Sequence, residues 1–195
     1  MRDLIKSLEN ALSREGSAST DFDLNKDIIL PEDRKLTAAA VLVAFRAGTG
    51  NLVLTKRSAR LKHHPGQIAF AGGKQDSQDA NPSAAALREA NEEIGLDPTQ
   101  VQVIGALPSH ETVTGYAITP VLAVVHGDFI PVPEAGEVSE VFEVPFTHVI
   151  NPAAFSVQGR HWNGRRRYYY TLPYGPYYIW GATARILRAL AERMT

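Results

Sequence analysis

Cysteine is absent from the 195 residues of this chain, and neither sign of charge is in excess. Without cysteine the chain has no disulfides, no thiolate metal ligands and no cysteine nucleophile, and nothing in it indicates an oxidising compartment. The 20 basic and 21 acidic residues nearly cancel, so the chain lacks the global field that attracts proteins to nucleic acids or anionic membranes. Any binding of phosphate groups is therefore expected to be local.

Long apolar runs are absent as well. No segment approaches the roughly 18 apolar residues of a membrane-spanning helix, and residues 1–13 alternate apolar and charged side chains as a short amphipathic helix does, unlike a signal peptide. We expect a soluble cytoplasmic protein without a membrane partner. Because 44% of the residues are hydrophobic, the chain has enough apolar material for one domain. We place that domain at residues 36–195, after an N-terminal helix and a polar arm or linker in residues 1–35.

Hydrophobic patterning predicts a mixed order of strands and helices. Strands are expected at residues 36–45, 52–55, 67–71, 101–107, 116–125 and 141–144, and the third of them is expected to end at the glycine pair Gly72 and Gly73. The Asn163-Gly164 pair predicts a hairpin whose second strand covers residues 167–172. A short helix is expected within residues 145–155 and a terminal helix at residues 180–194. The expected fold class is α+β, with a mixed β-sheet between α-helices.

A further helix is predicted from Pro82 to Gly95. Asn81 is a suitable N-cap, proline suits the first helical position, and Gly95 is the expected C-terminal glycine. Successive residues rotate by about 100° around a helix, so Glu89 and Glu93 share one face with Glu92. The apolar residues fall on the opposite side: Leu87, Ala90 and Ile94.

This cluster of carboxylates costs stability. Like charges three and four residues apart repel each other, and anions in the last turns oppose the helix dipole. One interpretation is a solvated face on which Arg88 partly neutralises Glu92. The other is a site for a divalent cation, since hard oxygen ligands suit Mg²⁺ or Mn²⁺.

The run Arg88-Glu89-Ala90-x-Glu92-Glu93-x-Gly95-Leu96, preceded by Gly72-Gly73, resembles the Nudix box, G-x5-E-x7-R-E-U-x-E-E-x-G-U. The resemblance implies that Glu89, Glu92 and Glu93 are ligands of Mg²⁺ or Mn²⁺ and that Arg88 orients them through a salt bridge. The distance from Gly73 to Arg88 is one residue longer than in the general form. Asp79 occupies the position of the first glutamate, and Ala90 replaces a larger aliphatic residue.

The segment LVLTKRS…GQIAFAGG, residues 52–73, is similar to the L-L-T-x-R-S…G-x-I-x-F-P-G-G signature of the coenzyme A pyrophosphatase subfamily, which also has the longer box. Ala71 stands at the proline of that signature. Similarity continues in residues 115–120, 137–145 and 179–187. It implies hydrolysis of the diphosphate of coenzyme A, a small-molecule substrate, to 3′,5′-ADP and 4′-phosphopantetheine. The residues expected to contact substrate are Arg57, Arg60, Lys62, Gly72 and Gly73.

The general base is left open among Glu93, Glu137 and Glu140. Two other functions are also left open. One is hydrolysis of a different nucleotide, such as ADP-ribose, a dinucleotide or an oxidised nucleoside triphosphate. The other is a Nudix-fold module that binds a nucleotide without cleaving it, although such modules usually lose the carboxylates kept here. An isomerase of the isopentenyl diphosphate type is excluded, because it needs a cysteine.

Three remaining features have ordinary interpretations. The adjacent His63 and His64 cannot both face one site on an extended chain, so a structural or exposed role is expected. Residues 165–170, three arginines followed by three tyrosines, do not form a continuous nucleic-acid stripe, because alternate strand residues face opposite sides. The sequence leaves open whether the N-terminal helix and arm mediate a homodimer.

Overall fold

The computed structural model describes residues 2–28, 30–31, 33–162 and 164–194. Its helices are α1 (Arg2–Ser13), α2 (Pro82–Ile94), α3 (Phe146–Val149) and α4 (Gly181–Met194), with 3₁₀ turns at Pro98–Gln100 and Pro152–Ala154. Its strands are β1 (Ser19–Thr20), β2 (Thr37–Arg46), β3 (Leu52–Arg57), β4 (Ile68–Ala69), β5 (Ala71–Lys74), β6 (Val101–Ala106), β7 (His110–Glu111), β8 (Tyr116–Val125), β9 (Val138–Val144), β10 (Ser156–Trp162), β11 (Arg165–Tyr174) and β12 (Tyr177–Trp180). No helix within the described ranges is both long and apolar enough to span a bilayer.

Strands β1 to β9 form one mixed sheet, and β10 to β12 form a small antiparallel sheet. The long strands β2 and β8 are parallel neighbours over their whole length. Strand β5 pairs antiparallel with β2, and β9 pairs antiparallel with β3. The sheet is therefore built around β2, β3 and β8, most of whose apolar residues are buried.

The large sheet has a separate apolar core on each face. On one face, Ala85, Ala86, Ala90 and Ile94 of α2 pack on alternate residues of β2 and β8. On the other face, residues of α1, α4 and the small sheet pack on the intervening residues of the same strands. This alternation follows from the two-residue period of a strand. The expected α+β fold with a mixed sheet between helices is confirmed.

The limits predicted for α2 are also confirmed. The Asn81 side chain accepts a hydrogen bond from the backbone N–H of Ala84 at 2.9 Å, and Pro82 occupies the first turn. Gly95 ends the helix in the left-handed conformation, with φ of 68°. The helix therefore ends at Gly95, and the chain turns so that the next residue, Leu96, is buried in the same core.

The N-terminal segment packs against the rest of the chain. Leu8 and Ala11 of α1 are fully buried in the core beneath α4. Asn25 uses its side-chain amide to bond both the N–H and the C=O of Tyr168, each at 2.9 Å. Asp23 accepts a hydrogen bond from Arg185 at 2.6 Å. The arm therefore contacts both β11 and α4, and the division of the chain at residue 35 stays a prediction.

Two expectations about the strands need correction. The strand expected at residues 67–71 is two short strands, β4 and β5, and Gly72 and Gly73 lie inside β5 instead of ending a strand. The second strand of the hairpin is longer than expected, from Arg165 to Tyr174. In its turn Gly164 has φ of 74°, as a hairpin turn requires, while Asn163 lies outside the described residues.

One edge of the large sheet gathers several strand ends. Strands β2 and β8 begin there, with Thr37 opposite Tyr116. Strand β5 ends there, with Lys74 opposite Ala39. Strand β3 ends at Arg57, which lies opposite the first residue of β9. The loops at this edge are therefore close together, although they are far apart in the sequence.

Candidate metal centre

Helix α2 lies against β5, and at Gly73 the strand contributes no side chain to this contact. A Cβ atom added to Gly73 would come within 2.5 Å of the carboxyl carbon of Glu89 and within 2.6 Å of both of its oxygens. Real Cβ contacts are never that short, so only glycine lets the Glu89 carboxylate rest on this strand. The second residue of the glycine pair therefore positions Glu89.

Gly72 positions Glu93 in a different way. Its backbone N–H donates a hydrogen bond to Glu93 Oε2 at 3.2 Å. A Cβ at Gly72 would lie 2.4 Å from the carbonyl oxygen of Ala40 on the neighbouring strand. Glycine at this position therefore allows β5 to pair with β2 while its N–H is directed at a carboxylate.

The Glu93 side chain is buried, with the residue only 5% exposed. Burial raises the pKa of Glu93 to about 7, the nearby carboxylates of Glu89 and Glu137 add to the rise, and the hydrogen bond from Gly72 and the charge of Arg57 oppose it. The expectation that all three glutamates form one presented face is therefore wrong for Glu93. The reason is tertiary, since β5 covers that side of the helix.

The other two glutamates are progressively more open. Burial also raises the pKa of Glu89, and its hydrogen bond from Arg88 opposes that rise. The Glu92 side chain is 58% exposed. The three carboxylates therefore run from a buried position beside β5 to an open one at the surface.

Arg88 holds this arrangement together. Its guanidinium donates to Glu89 Oε1 at 2.9 Å and to Glu92 Oε2 at 3.0 Å. It also donates to both carboxylate oxygens of Asp79, at 3.1 and 3.0 Å, and to the carbonyl oxygen of Lys74 at 3.1 Å. The expected salt bridge from Arg88 is present. Because a planar guanidinium with all its donors engaged has little freedom, it fixes the direction of two of the glutamates.

Asp79 is a residue whose role the sequence obscured. It forms the two-pronged pair with Arg88, which lowers the pKa of the Asp79 carboxyl. Its Oδ2 also accepts the backbone N–H of Asp76 at 2.8 Å, which closes the loop before α2. The extra residue between Gly73 and Arg88 is therefore accommodated by a loop that still brings an acid to this arginine.

A second feature not evident in the sequence is the loop that follows β8. The backbone N–H of Glu134 donates to the carbonyl of Glu93 at 2.8 Å, and the N–H of Val132 donates to that of Ile94 at 2.9 Å. These bonds satisfy carbonyl groups at the C-terminal end of α2 that lack partners within the helix. They also tie the glutamates to the segment that carries Glu137, whose N–H donates to Glu134 Oε2.

The two acids outside α2 that were considered as general bases have different surroundings. Glu137 lies near enough to raise the pKa of both Glu89 and Glu93. Glu140 pairs with Lys56 across β3 and β9 and accepts a hydrogen bond from Tyr177, on the face away from α2. The structure therefore brings Glu137 to the carboxylate cluster and leaves Glu140 outside it.

The basic loop starts at the same edge. Arg57 holds the two ends of this loop together. Its backbone N–H donates a hydrogen bond to the carbonyl of Gln67, and its carbonyl accepts one from the N–H of Gly66. The Nε atom of Arg57 is shielded from solvent and has no hydrogen-bond partner among the described residues. Arg60 and Lys62 are exposed within the loop. His63 and His64 are exposed too, in agreement with the role expected for them.

The cluster fits a divalent cation by its chemistry. All donors are carboxylate oxygens, and within the described residues Glu89 Oε2, Glu92 Oε1 and Glu93 Oε1 accept no hydrogen bond. In the same part of the chain, no three acidic or histidine side chains converge into a complete metal cage. Mg²⁺ commonly takes only a few carboxylates and fills its other positions with water and phosphate oxygens. Glu89, Glu92 and Glu93 would hold such an ion.

The position of the Glu89 carboxylate can be tested at Gly73. Gly73→Ala should weaken Mn²⁺ binding by on the order of tenfold or more, because the new methyl group must displace that carboxylate. Titration calorimetry measures the affinity. Gly48→Ala is the matched control, since a Cβ there meets no atom within 4 Å. Equal Mn²⁺ affinity in both variants would show that Glu89 does not need this close contact.

The buried state of Glu93 predicts a pH dependence of stability in the metal-free protein. Its pKa rises from 4.5 to about 7 on folding, so the folded state favours the protonated acid. Below pH 4.5 this effect adds roughly 1–3 kcal/mol to the free energy of unfolding. The contribution is lost as the pH rises through 7. Urea unfolding of the native chain and of Glu93→Gln, measured at several pH values in the presence of a chelator, gives this contribution. Glu92→Gln should keep the native pH dependence, and parallel curves for the native chain and Glu93→Gln would contradict the assignment.

Known proteins resemble this chain over most of its length. A family model described as the NUDIX domain matches residues 35–170. An "Uncharacterized Nudix hydrolase NudL" of Citrobacter koseri is 40% identical over 159 residues, 82% of each chain. A protein of the same description from Escherichia coli is 39% identical over 171 residues, 87% of this chain and 89% of its own. A solved structure of a Nudix hydrolase from M. smegmatis, RenU, is 28% identical, covers 57% of this chain and 71% of its own, and has a TM-score of 0.45. By the family match and the two bacterial relatives, the chain belongs to the Nudix hydrolases.

Proposed function

We propose that this Nudix hydrolase cleaves the diphosphate of coenzyme A or a coenzyme A derivative. Water adds to one phosphorus and the bridging P–O bond breaks, so the products are the two phosphate monoesters 3′,5′-ADP and 4′-phosphopantetheine, or the acylated form of the latter. The single observation that carries the proposal is the segment Leu52–Gly73. It resembles the coenzyme A pyrophosphatase signature, and it forms both the basic loop and the glycine contacts of the carboxylate cluster.

The placement of that segment supports the proposal on physical grounds. Its loop is closed by Arg57 at the sheet edge where Glu93 lies, and Arg57 is close enough to lower the pKa of Glu93. Arg60 and Lys62 extend from the same loop into solvent. A substrate with a diphosphate and a further phosphate needs cationic groups beside the cleavage site as well as at it.

The role of each protein group follows from its contacts. When bound, Mg²⁺ or Mn²⁺ supplies positive charge to the diphosphate oxygens and acidifies water at the site. Glu89, Glu92 and Glu93 would bind the ion, and Arg88 keeps the first two in place. Arg57 directs an unpaired N–H group that can bind a phosphate oxygen of the substrate. The glycine pair holds the glutamates against the sheet and thereby sets the position of the cleaved bond.

Glu137 is our choice for the general base. It is exposed, it lies beside Glu89 and Glu93, and its backbone is fixed by bonds to Glu134 and Ser58. An exposed carboxylate at the rim of the site can accept a proton from water without leaving its position. Glu93 is less suitable, because its carboxylate is needed as a ligand. Glu140 is less suitable because it already accepts a hydrogen bond from Tyr177, on the face of the sheet away from α2.

Two other functions remain as alternatives. Hydrolysis of another nucleoside diphosphate such as ADP-ribose would use the same glutamates, and only the segment Leu52–Gly73 argues against it. A module that binds a nucleotide without cleaving it is disfavoured, since Glu89, Glu92 and Glu93 are all kept beside Arg88.

The substrate proposal predicts the products. Incubation with coenzyme A and Mg²⁺ or Mn²⁺ should release 3′,5′-ADP, which chromatography detects, and excess chelator should stop the reaction. The same assay run on acyl-coenzyme A, oxidised coenzyme A and ADP-ribose ranks the substrates. Protein with Glu93→Gln, purified identically, controls for contaminating phosphatases and should be inactive. A strong preference for ADP-ribose would refute the coenzyme A proposal, and an active Glu93→Gln protein would refute the ligand assignment.

The assignment of the base gives a matched pair of variants. Glu137→Gln should lower kcat by about 100-fold or more while KM changes little, because the group acts on the attacking water. Glu140→Gln removes the same charge three residues away and should stay within a few-fold of the native rate. The acid limb of the pH–rate profile should change only in Glu137→Gln. Similar losses in the two variants would contradict the choice of Glu137.

A further inference from the structure

A cavity separate from the carboxylate cluster lies between the N-terminal arm and the small sheet. Its volume is about 290 Å³. Aromatic residues of the arm, of the hairpin and of the end of β12 line it: Phe22, Trp162, Tyr168, Tyr169 and Trp180. Arg160 and Arg167 also line it. The cavity is near the lower limit of the volumes typical of small-molecule sites, roughly 300–1,000 Å³.

The two arginines of the cavity repel each other. Arg160 and Arg167 are directly opposite in the pairing of β10 with β11, where like charges are destabilising. Neither has a carboxylate partner among the described residues. The Nε atom of Arg167 is shielded from solvent and lacks a hydrogen-bond acceptor in the same part of the chain. A bound anion would relieve the repulsion and supply that acceptor.

Among the described residues, the one acid that lines the cavity does not compensate these charges. Asp21 Oδ1 is hydrogen-bonded to the buried His110 at 3.1 Å, and its Oδ2 accepts the N–H of Val113 at 2.9 Å. Both carboxylate oxygens are therefore engaged in holding the arm to the sheet. The unpaired charge in the cavity is positive.

The aromatic side chains that line the cavity favour a planar ligand. Trp162 and Tyr168 are 45% and 42% exposed, which is a large apolar surface for residues that flank a cavity. Arg167 already stacks over the Trp162 ring at 4.3 Å. Aromatic and guanidinium planes together bind nucleobases by stacking, while the guanidinium N–H groups bind phosphate. A neutral acyl chain would fill the apolar space but would leave both arginines without a partner.

The cavity is at the same sheet edge as the carboxylates. Val113 and Thr114, which line it, precede the first residue of β8, and His64 of the basic loop lines it as well. Strands β5, β2 and β8 are successive neighbours, so β5 and β8 are separated by roughly 10 Å, two strand spacings. A ligand of the size of coenzyme A can extend over such a distance.

We propose that this cavity binds a phosphorylated nucleoside, with its base between the aromatic walls and its phosphate on Arg160 and Arg167. This inference rests on the proposed function in one respect: in a coenzyme A substrate the group bound here is the 3′-phosphoadenosine end. The pantetheine arm is then directed away from the cavity, and the acyl group does not determine the affinity at this site.

The two tryptophans of the chain, Trp162 and Trp180, both line the cavity, so tryptophan fluorescence should respond when a ligand binds there. The probe is adenosine 3′,5′-bisphosphate, titrated into the full chain in a chelator, without any divalent cation. We expect a saturable change in emission. Arg167→Ala should weaken binding of the probe at least tenfold, and Arg167→Lys, which keeps the charge but loses the shielded Nε, should weaken it by less.

Arg165→Ala is the matched control, because it removes the same charge from the same strand outside the cavity, and it should bind the probe within twofold of the native chain. Absence of a saturable change at millimolar probe, or equal losses in Arg165→Ala and Arg167→Ala, would overturn the proposal. So would a fluorescence change with S-octanoyl-pantetheine and none with the bisphosphate, which would make the cavity an acyl site. A chain that binds the bisphosphate in this way but does not hydrolyse coenzyme A would refute the proposed function and leave this nucleotide site intact. Hydrolysis of coenzyme A without a fluorescence change on adding the bisphosphate would refute the nucleotide site and leave the proposed function intact.

Discussion

The contact of α2 with β5, to which the strand contributes no side chain at Gly72 and Gly73, is the constraint on which the rest of the site depends. Gly73 leaves room for the Glu89 carboxylate, and the Gly72 N–H is the one hydrogen-bond donor that the described structure provides to Glu93. Burying a carboxylate costs several kcal/mol unless charge or hydrogen bonds compensate it. One backbone N–H and the nearby Arg57 compensate only in part, because the pKa of Glu93 is still raised. The folded chain therefore keeps a carboxylate that gains from either a proton or a cation.

The parts of this site that depend on local spacing could be predicted from the sequence. Asn81 and Gly95 set the limits of α2, and the helical period places Glu89 and Glu93 on one side. The burial of Glu93 could not be predicted, because the helix alone treats it like the exposed Glu92. Only the position of β5 distinguishes the two. The sequence did contain the signal for this closeness, since a pair of glycines inside a strand often marks a close approach of backbone.

The side of the sheet on which an acid lies is harder to predict. Glu137 and Glu140 are three residues apart in the same acidic segment, yet one faces the cluster and the other contacts Tyr177 across the sheet. The register of β9 against β3 shifts between Lys56 and Arg57, so Val138 instead of Ser139 lies opposite Arg57. A bulge of this kind has no compositional mark. The N-terminal arm presents the same difficulty, because Asn25 mimics strand pairing through a side chain that no periodicity reveals.

The nearly neutral composition conceals a separation of charge at one sheet edge. Carboxylates from α2 and from the segment before β9 make one part of that edge negative, and the basic loop with the hairpin arginines makes another part positive. The strand registers bring these parts together, because β2 and β8 begin where β3 and β5 end. Such an edge would suit the substrate proposed above, whose diphosphate needs a cation at one point and whose further phosphate needs arginines at another. A net charge of −1 cannot show this, since it sums over positions that only the sheet places side by side.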